Sequence, residues 1–216
     1  VGRRGDGLVR RTLSDWDLDT PRDRAEVLRL DAGSTGYGSL AAHGHCDALH
    51  LSIWDGTEAL VIDPGTGGYY GMPDRRAELA SWDAHNGPQP EGGFQTPRRA
   101  GTFLLTDHYA QPVLQRIAPR CLRAALNHED QQLVRTVEVT TRGTLLVTDQ
   151  AVSGEAIRVR WTLAPECTLA IDADVGCTIK RGGKVWHVDL SGDEIVACKR
   201  GELMVSRRYG QLERAV

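Results

Sequence analysis

The residues best suited to chemistry are gathered in three short pieces: Ala42-His43-Gly44-His45-Cys46-Asp47-Ala48-Leu49-His50, Val61-Ile62-Asp63-Pro64-Gly65 and Ala84-His85-Asn86, which together hold four of the seven histidines. His43 and His45 are two apart, so on an extended backbone their imidazoles would project to one side and converge on one ion or one cleft. Asp63 closes an apolar run just before a Pro-Gly turn, where a carboxylate either caps the turn or binds a cation. Imidazole nitrogen and carboxylate oxygen from three separate segments suit zinc, which takes such ligands tetrahedrally and often keeps one position for water. Histidine pairs at this spacing also arise by chance in strands, so spacing alone leaves a metal site and an incidental pair both open. Cys46, the odd residue between two even ones, is expected to point away.

Positioning these pieces requires a β framework. From Val27 onward, short apolar or β-branched runs alternate with Gly, Asp and Pro punctuation, among them 27–30, 49–54, 59–62, 102–105, 133–140 and 144–148, followed by 156–163, 167–173, 184–190, 194–198 and 203–206. Such runs are strand-length. Asp55-Gly56, Arg142-Gly143, Gly182-Gly183, Ser191-Gly192 and Arg200-Gly201 supply hairpin turns, which makes successive strands antiparallel neighbours. Short helices are predicted only around Asp74–Trp82 and Gln115–Ala125. The expected fold is all-β, an antiparallel two-sheet sandwich with little helix, because each sheet must bury one apolar face against another layer. Residues 83–101, rich in Gly, Pro and Gln, read as a long functional loop. Residues 1–26 are charged and weakly patterned and read as a linker, leaving 27–216 as one sandwich domain.

Composition narrows the function. A net charge of −3, from 26 Lys and Arg against 29 Asp and Glu, with no dense basic run, points away from duplex nucleic acid and anionic membranes. No apolar run approaches a membrane span and no signal-peptide pattern is visible. The five cysteines are odd in number and contain no CxxC pair, so buried free thiols are expected rather than disulfides or a cysteine knuckle. Val1-Gly2-Arg3-Arg4 lacks an initiator Met, and the chain is expected to be part of something longer.

The succession His43-Gly44-His45-x-Asp47-Ala48-Leu49, then Asp63-Pro64-Gly65-Thr66 with Tyr69, then Arg76 and Ala84-His85-Asn86, resembles the C-terminal domain of heparinase II/III-like and alginate lyases. The resemblance implies an antiparallel sandwich of the supersandwich kind that follows a helical toroid, and this chain lacks the toroid. It implies zinc held by His45, Asp63 and His85, with His43 facing the catalytic cleft. Asp47 and Asn86 would orient the ligating imidazoles through hydrogen bonds, and Tyr69 and Arg76 would meet substrate. The implied reaction is β-elimination on a uronic-acid-containing polysaccharide: a base removes the proton next to the carboxylate and an acid protonates the leaving glycosidic oxygen. In that family the principal base lies in the toroid, so the isolated chain is expected to be inactive. The resemblance also implies a periplasmic or secreted setting.

Departures from the family pattern fall around the substrate rather than the metal. Gly87-Pro88-Gln89-Pro90 replaces a threonine and an apolar strand, and proline there interrupts a ladder. Ala80 stands where an arginine is usual, Gly67 where a tyrosine is usual, and His50 where serine is common. Tyr69, Tyr70 and Trp82 are candidates for stacking on a sugar, whereas Trp54, Trp161 and Trp186 read as packing. A cupin is the weaker rival, because its His-x-His pair wants a glutamate where Leu49 and His50 stand. The alternative from another class is a non-catalytic carbohydrate-binding or structural module derived from the lyase family.

Overall fold

The computed structural model describes residues 11–12, 26–36, 41–95, 98–105, 112–128, 130–141, 144–171, 176–191 and 199–216. Strands β1 (Arg11–Thr12), β2 (Glu26–Leu30), β3 (Leu51–Asp55) and β4 (Glu58–Val61) form an antiparallel sheet in that order. A seven-residue helix, α1 (Pro73–Leu79), and a 3-10 turn over Trp82–Ala84 follow. Three two-residue strands come next, β5 (Gln89–Pro90), β6 (Arg99–Ala100) and β7 (Leu104–Leu105), the last two paired as a hairpin. Strands β8 (Val113–Ala118), β9 (Cys121–His128), β10 (Gln131–Val139) and β11 (Leu145–Ala151) make a second four-stranded meander. Strand β12 (Ile157–Arg158) pairs with β5, while β13 (Thr168–Ile171), β14 (Gly176–Arg181) and β15 (Lys184–Asp189) form a third sheet. Strands β16 (Leu203–Val205) and β17 (Glu213–Ala215) close the chain as a pair.

This is the expected all-β antiparallel sandwich. Alternation drives it: in β9 the even positions Leu122, Ala124 and Leu126 turn inward, and in β10 Leu133, Arg135 and Val137 do so. Those residues pack on Leu28, Leu30, Leu51 and Ile53 of the first sheet, with Leu49, Trp82 and Phe94 filling one end. A second apolar cluster joins Leu60, Val61 and Ile62 to Leu163, Ile179, Val205 and Ala215. Ile53 and Trp161 border both clusters, so the interior is one sandwich with two centres.

The helix predicted around Gln115–Ala125 is instead the β8–β9 hairpin, whose Cys121–His128 segment buries every second residue. Period two outweighs the helix propensity of its alanines and leucines. The helix predicted over Asp74–Trp82 is present as α1 and the 3-10 turn. Asp55-Gly56 and Gly182-Gly183 turn the expected hairpins. The turn at Arg142-Gly143 and the run 194–198 lie outside the described residues. Of the linker, Arg11–Thr12 pairs with Val27 and Leu28. Cys46 and Cys167 are buried, Cys121 and Cys177 half-buried, and all four are free thiols.

Candidate metal centre and adjoining cleft

The stretch 41–50 is a chain of turns rather than a strand. Three of its non-glycine residues, Ala41, His43 and Leu49, have φ values of 46°, 59° and 64°, a left-handed conformation that costs each of them roughly 1–2 kcal/mol. Packing overrides that cost, since Ala41 and Leu49 are both fully buried. The backbone bonds His43 N–H to Phe103 O, Cys46 N–H to Ala80 O and Leu49 N–H to Asp31 O hold the loop from three sides. Because the backbone is not extended, His43 and His45 do not share a face. His43 goes to an exposed aromatic cluster, and His45 turns inward toward His85.

His45, Asp63 and His85 offer ligand atoms that all lie within 4.8 Å of one another. His85 is 1% exposed, its Nδ1–H donates to Ser81 O at 2.9 Å, and its Nε2 faces Asp63 Oδ2 at 3.6 Å without a hydrogen-bond partner. Ligands bonded to zinc at about 2.0–2.2 Å in a tetrahedron stand roughly 3.3–3.6 Å apart, so the His85–Asp63 separation already suits a shared ion. A ligating imidazole typically donates its other N–H to a carbonyl, as His85 does. Asp63 uses its two oxygens separately: Oδ1 accepts the Gly65 N–H at 2.8 Å, and Oδ2 is turned to His85. The turn-capping option that the sequence left open is thus realised by Oδ1, and Oδ2 remains turned to His85. The residues fit a metal ion, with two imidazoles and one carboxylate in an enclosed setting.

Electrostatics prepare this group. Burial, with the charges of His85 and Arg76, lowers the His45 pKa to about 3, so His45 is neutral and able to ligate. Its Nε2 accepts a hydrogen bond from Arg76 Nη1 at 2.8 Å, which commits the neutral ring's one lone pair, so ligation by His45 requires that bond to be given up. Burial works against the Asp63 charge, yet the facing His85 imidazole, the His50 ring and the Gly65 N–H hold that carboxyl well below the usual range. Burial likewise opposes protonation of His85, but Asp63, Asp47 and the Ser81 carbonyl together raise its pKa above the ordinary value. A proton or a cation is what this pair of facing electron donors calls for. Cys46 is pushed up to about 12 by burial and stays a thiol.

Around this trio, Asn86 departs from expectation. Its side chain pairs with the Leu51 backbone, accepting N–H and donating to O at 2.7 Å each, and accepts from Arg135 Nη1 at 2.7 Å. It reaches neither His45 nor His85; its backbone N–H donates to His50 Nδ1 instead. Asp47 lies close enough to His85 to stabilise its charge, and dehydration together with the Asp31 carboxylate pushes Asp47 up to about 7. Trp82, proposed for sugar stacking, is 3% exposed and packed on Phe94 and His128, so it is core. Tyr70 is 73% exposed and remains free to stack. Tyr69 Oη lies 3.0 Å from His43 Nδ1, its N–H donates to Tyr209 Oη, and the Arg76 guanidinium sits over its ring.

Three contributors escaped the sequence reading. His50, 2% exposed and 5.4 Å from the His85 ring, links Ser52 to Asn86. Arg135, fully buried, spans Asp149, Leu49 O and Asn86. Its signal was present, as a charge on the inward face of β10 directly opposite Asp149 on β11. The β6–β7 hairpin brings Arg99, which donates to Gly44 O, and Phe103, which packs on His43.

An antiparallel sandwich carrying a His-Asp-His group beside an aromatic cluster defines the class, and comparison with known proteins gives the family. The chain belongs to the heparinase II/III-like family, matching its C-terminal domain over residues 11–216. Among solved structures it resembles heparan sulfate lyase HepC from Pedobacter heparinus, with a TM-score of 0.70 and 16% identity over 89% of this chain and 30% of that one. A heparinase III gene product matches at 0.70 and 16% over 88% of this chain and 29% of that one. A further heparinase III crystal structure gives 0.63 and 14%, with 88% and 30% covered. The chain thus spans about a third of the length of these structures. No curated protein matches it in sequence. No helix among the described residues is long and apolar enough to cross a membrane.

Proposed function

We propose that this chain is the zinc-binding sandwich of a polysaccharide lyase that cleaves a uronic-acid-containing polysaccharide by β-elimination, in a secreted or periplasmic setting, together with an upstream helical toroid. The observation that carries the reading is the convergence of His45, Asp63 and His85 within 4.8 Å. Zinc bound there would supply a positive charge that ties the loop, the Asp-Pro-Gly turn and the Ala-His-Asn segment together. His43, exposed beside Tyr69 and Phe103, would present its imidazole to the sugar, with Nδ1 tethered by the Tyr69 hydroxyl. In this reading Asp47 tunes His85, and Asn86 acts through Arg135 and Leu51 to fix the backbone of the same segment. Arg76 steadies His45 and Tyr69 from beneath.

Metal analysis of purified protein is the direct test. Near-stoichiometric zinc that disappears in both His45→Ala and Asp63→Ala supports the assignment, and zinc unchanged in both overturns it. On the longer protein, the ultraviolet absorbance of an unsaturated uronic acid released from uronan reports the reaction, and His43→Ala should abolish it while retaining zinc.

A further inference from the structure

Arg76 is 3% exposed, yet its Nε and Nη2 have no hydrogen-bond partner, and the same holds for Nη1 of Arg99. Buried guanidinium groups are normally satisfied, because an unpaired donor forfeits its hydration with nothing in return, and a charged one forfeits the most. Their remaining nitrogens fix both groups to one short segment: Arg76 Nη1 donates to His45 Nε2 at 2.8 Å and Arg99 Nη2 to Gly44 O at 3.0 Å. Neither arginine forms an ion pair with a carboxylate among the described residues. They sense one another instead: after burial, the charge of Arg99 is the next contribution lowering the Arg76 pKa, to about 10. The Tyr69 ring, 5.4 Å from the Arg76 guanidinium, supports one face of it, and the Tyr69 hydroxyl meets His43. Two guanidinium groups tied to the consecutive residues 44 and 45, each with an enclosed, unpaired N–H and neither with a carboxylate partner among the described residues, offer the charge and the donors that recognise oxyanions.

We infer that Arg76 and Arg99, flanked by His43 and Tyr69, form a binding site for a single carboxylate or sulfate group, the acidic substituent of a sugar. Assigning the anion to a sugar rests on the lyase reading; the anion site itself does not. Arg99 comes from the β6–β7 hairpin, whereas Arg76 belongs to α1, so the site exists only when the hairpin is seated on residues 43–44.

An NMR titration with sodium sulfate and separately with sodium glucuronate, at constant ionic strength maintained with chloride, tests this. Both metal-chelated and zinc-supplemented protein are used. Saturable binding is expected with at least one probe, centred on Arg76, Arg99 and Tyr69 resonances. Arg99→Gln should weaken it at least tenfold, Arg99→Lys less, and the exposed control Arg116→Gln not at all. Tighter sulfate binding marks a sulfated glycan and tighter glucuronate binding an unsulfated uronan. No saturable binding to the wild type, or equal affinity in Arg99→Gln, overturns the site. Because Arg99 is half-buried and its side chain holds one carbonyl, folding of each variant is checked by the same spectra. Anion binding in a protein that takes up no zinc would leave this site standing while removing the metal reading, and the converse result would remove this site alone.

Discussion

Replacing Asp149 by alanine would strand the guanidinium of Arg135 inside the sandwich. The pair is bidentate, with Nε and Nη2 each 2.7 Å from a carboxylate oxygen, and the side chains are 0% and 12% exposed. Removing one member of so enclosed a pair leaves an uncompensated charge and costs about 3–5 kcal/mol. Arg135 keeps its bonds to Leu49 O and Asn86 Oδ1, which argues for the lower half of that range. In a domain of this size each kcal/mol moves the melting temperature by about 2–4 °C, so a fall of about 6–16 °C is expected. Thermal unfolding followed by circular dichroism, with a guanidinium titration to confirm an unchanged m-value, measures it. The double variant Arg135→Met/Asp149→Leu should recover part of the loss, since apolar replacement of a buried pair is often close to neutral while Leu49 O is left without its partner. A fall below about 2 °C in Asp149→Ala, or a double variant no better than the single one, would refute the view that Asp149 is what neutralises the buried Arg135.

Four other outcomes follow from the same geometry. Zinc at a hundredfold excess over its dissociation constant should stabilise the wild type by about 2.7 kcal/mol, and His85→Gln should abolish that gain in a thermal-shift assay. Metal uptake should weaken as pH falls through the raised His85 pKa, because the protonated imidazole has no lone pair to give; competition against a chromogenic chelator at several pH values reads this. Burial lowers the His50 pKa to about 3, so its stabilising contribution is complete above about pH 6.5 and is lost as pH falls toward 3; by pH 5 the loss is about 2 kcal/mol, and His50→Gln should show an acid limb shallower by that amount in denaturant titrations. Gly65→Ala should destabilise by more than 2 kcal/mol, because Gly65 has φ 81° and an added Cβ would lie 2.0 Å from Ser206 O; wild-type stability in that variant would mean the turn is not held as described.

The strand framework was legible because period-two patterning survives in almost every run, and Gly56 and Gly182 mark turns that the backbone needs. The hairpin β8–β9 was misread where alanine and leucine suggested helix, since propensity is weaker than pairing with neighbouring strands. At the site, the three residues His45, Asp63 and His85 could be named from motif order, and they do converge. The shared face assumed for His43 and His45 could not hold, because that inference needs an extended backbone and His43 sits at φ 59°. Asn86 was assigned to an imidazole when its amide is matched to a backbone N–H and C=O of Leu51, a contact set by β3 and invisible in local spacing. Arg99 was hidden inside a stretch readable only as a loop, and Phe103 in a run read simply as a strand.

The β6–β7 hairpin meets the histidine loop through one main-chain bond from His43 to Phe103 and the Arg99 side chain, while the ligating trio is anchored separately by Ser81, Gly65 and α1. On the proposed lyase reading, a relative could therefore lengthen, shorten or exchange that finger of chain and present a different surface to a sugar while two of the three supports of the histidine loop and the anchors of Asp63 and His85 stay in place. Under that reading selectivity and metal retention can diverge at different speeds, and grafting residues 99–105 between homologues is the natural way to move one without the other.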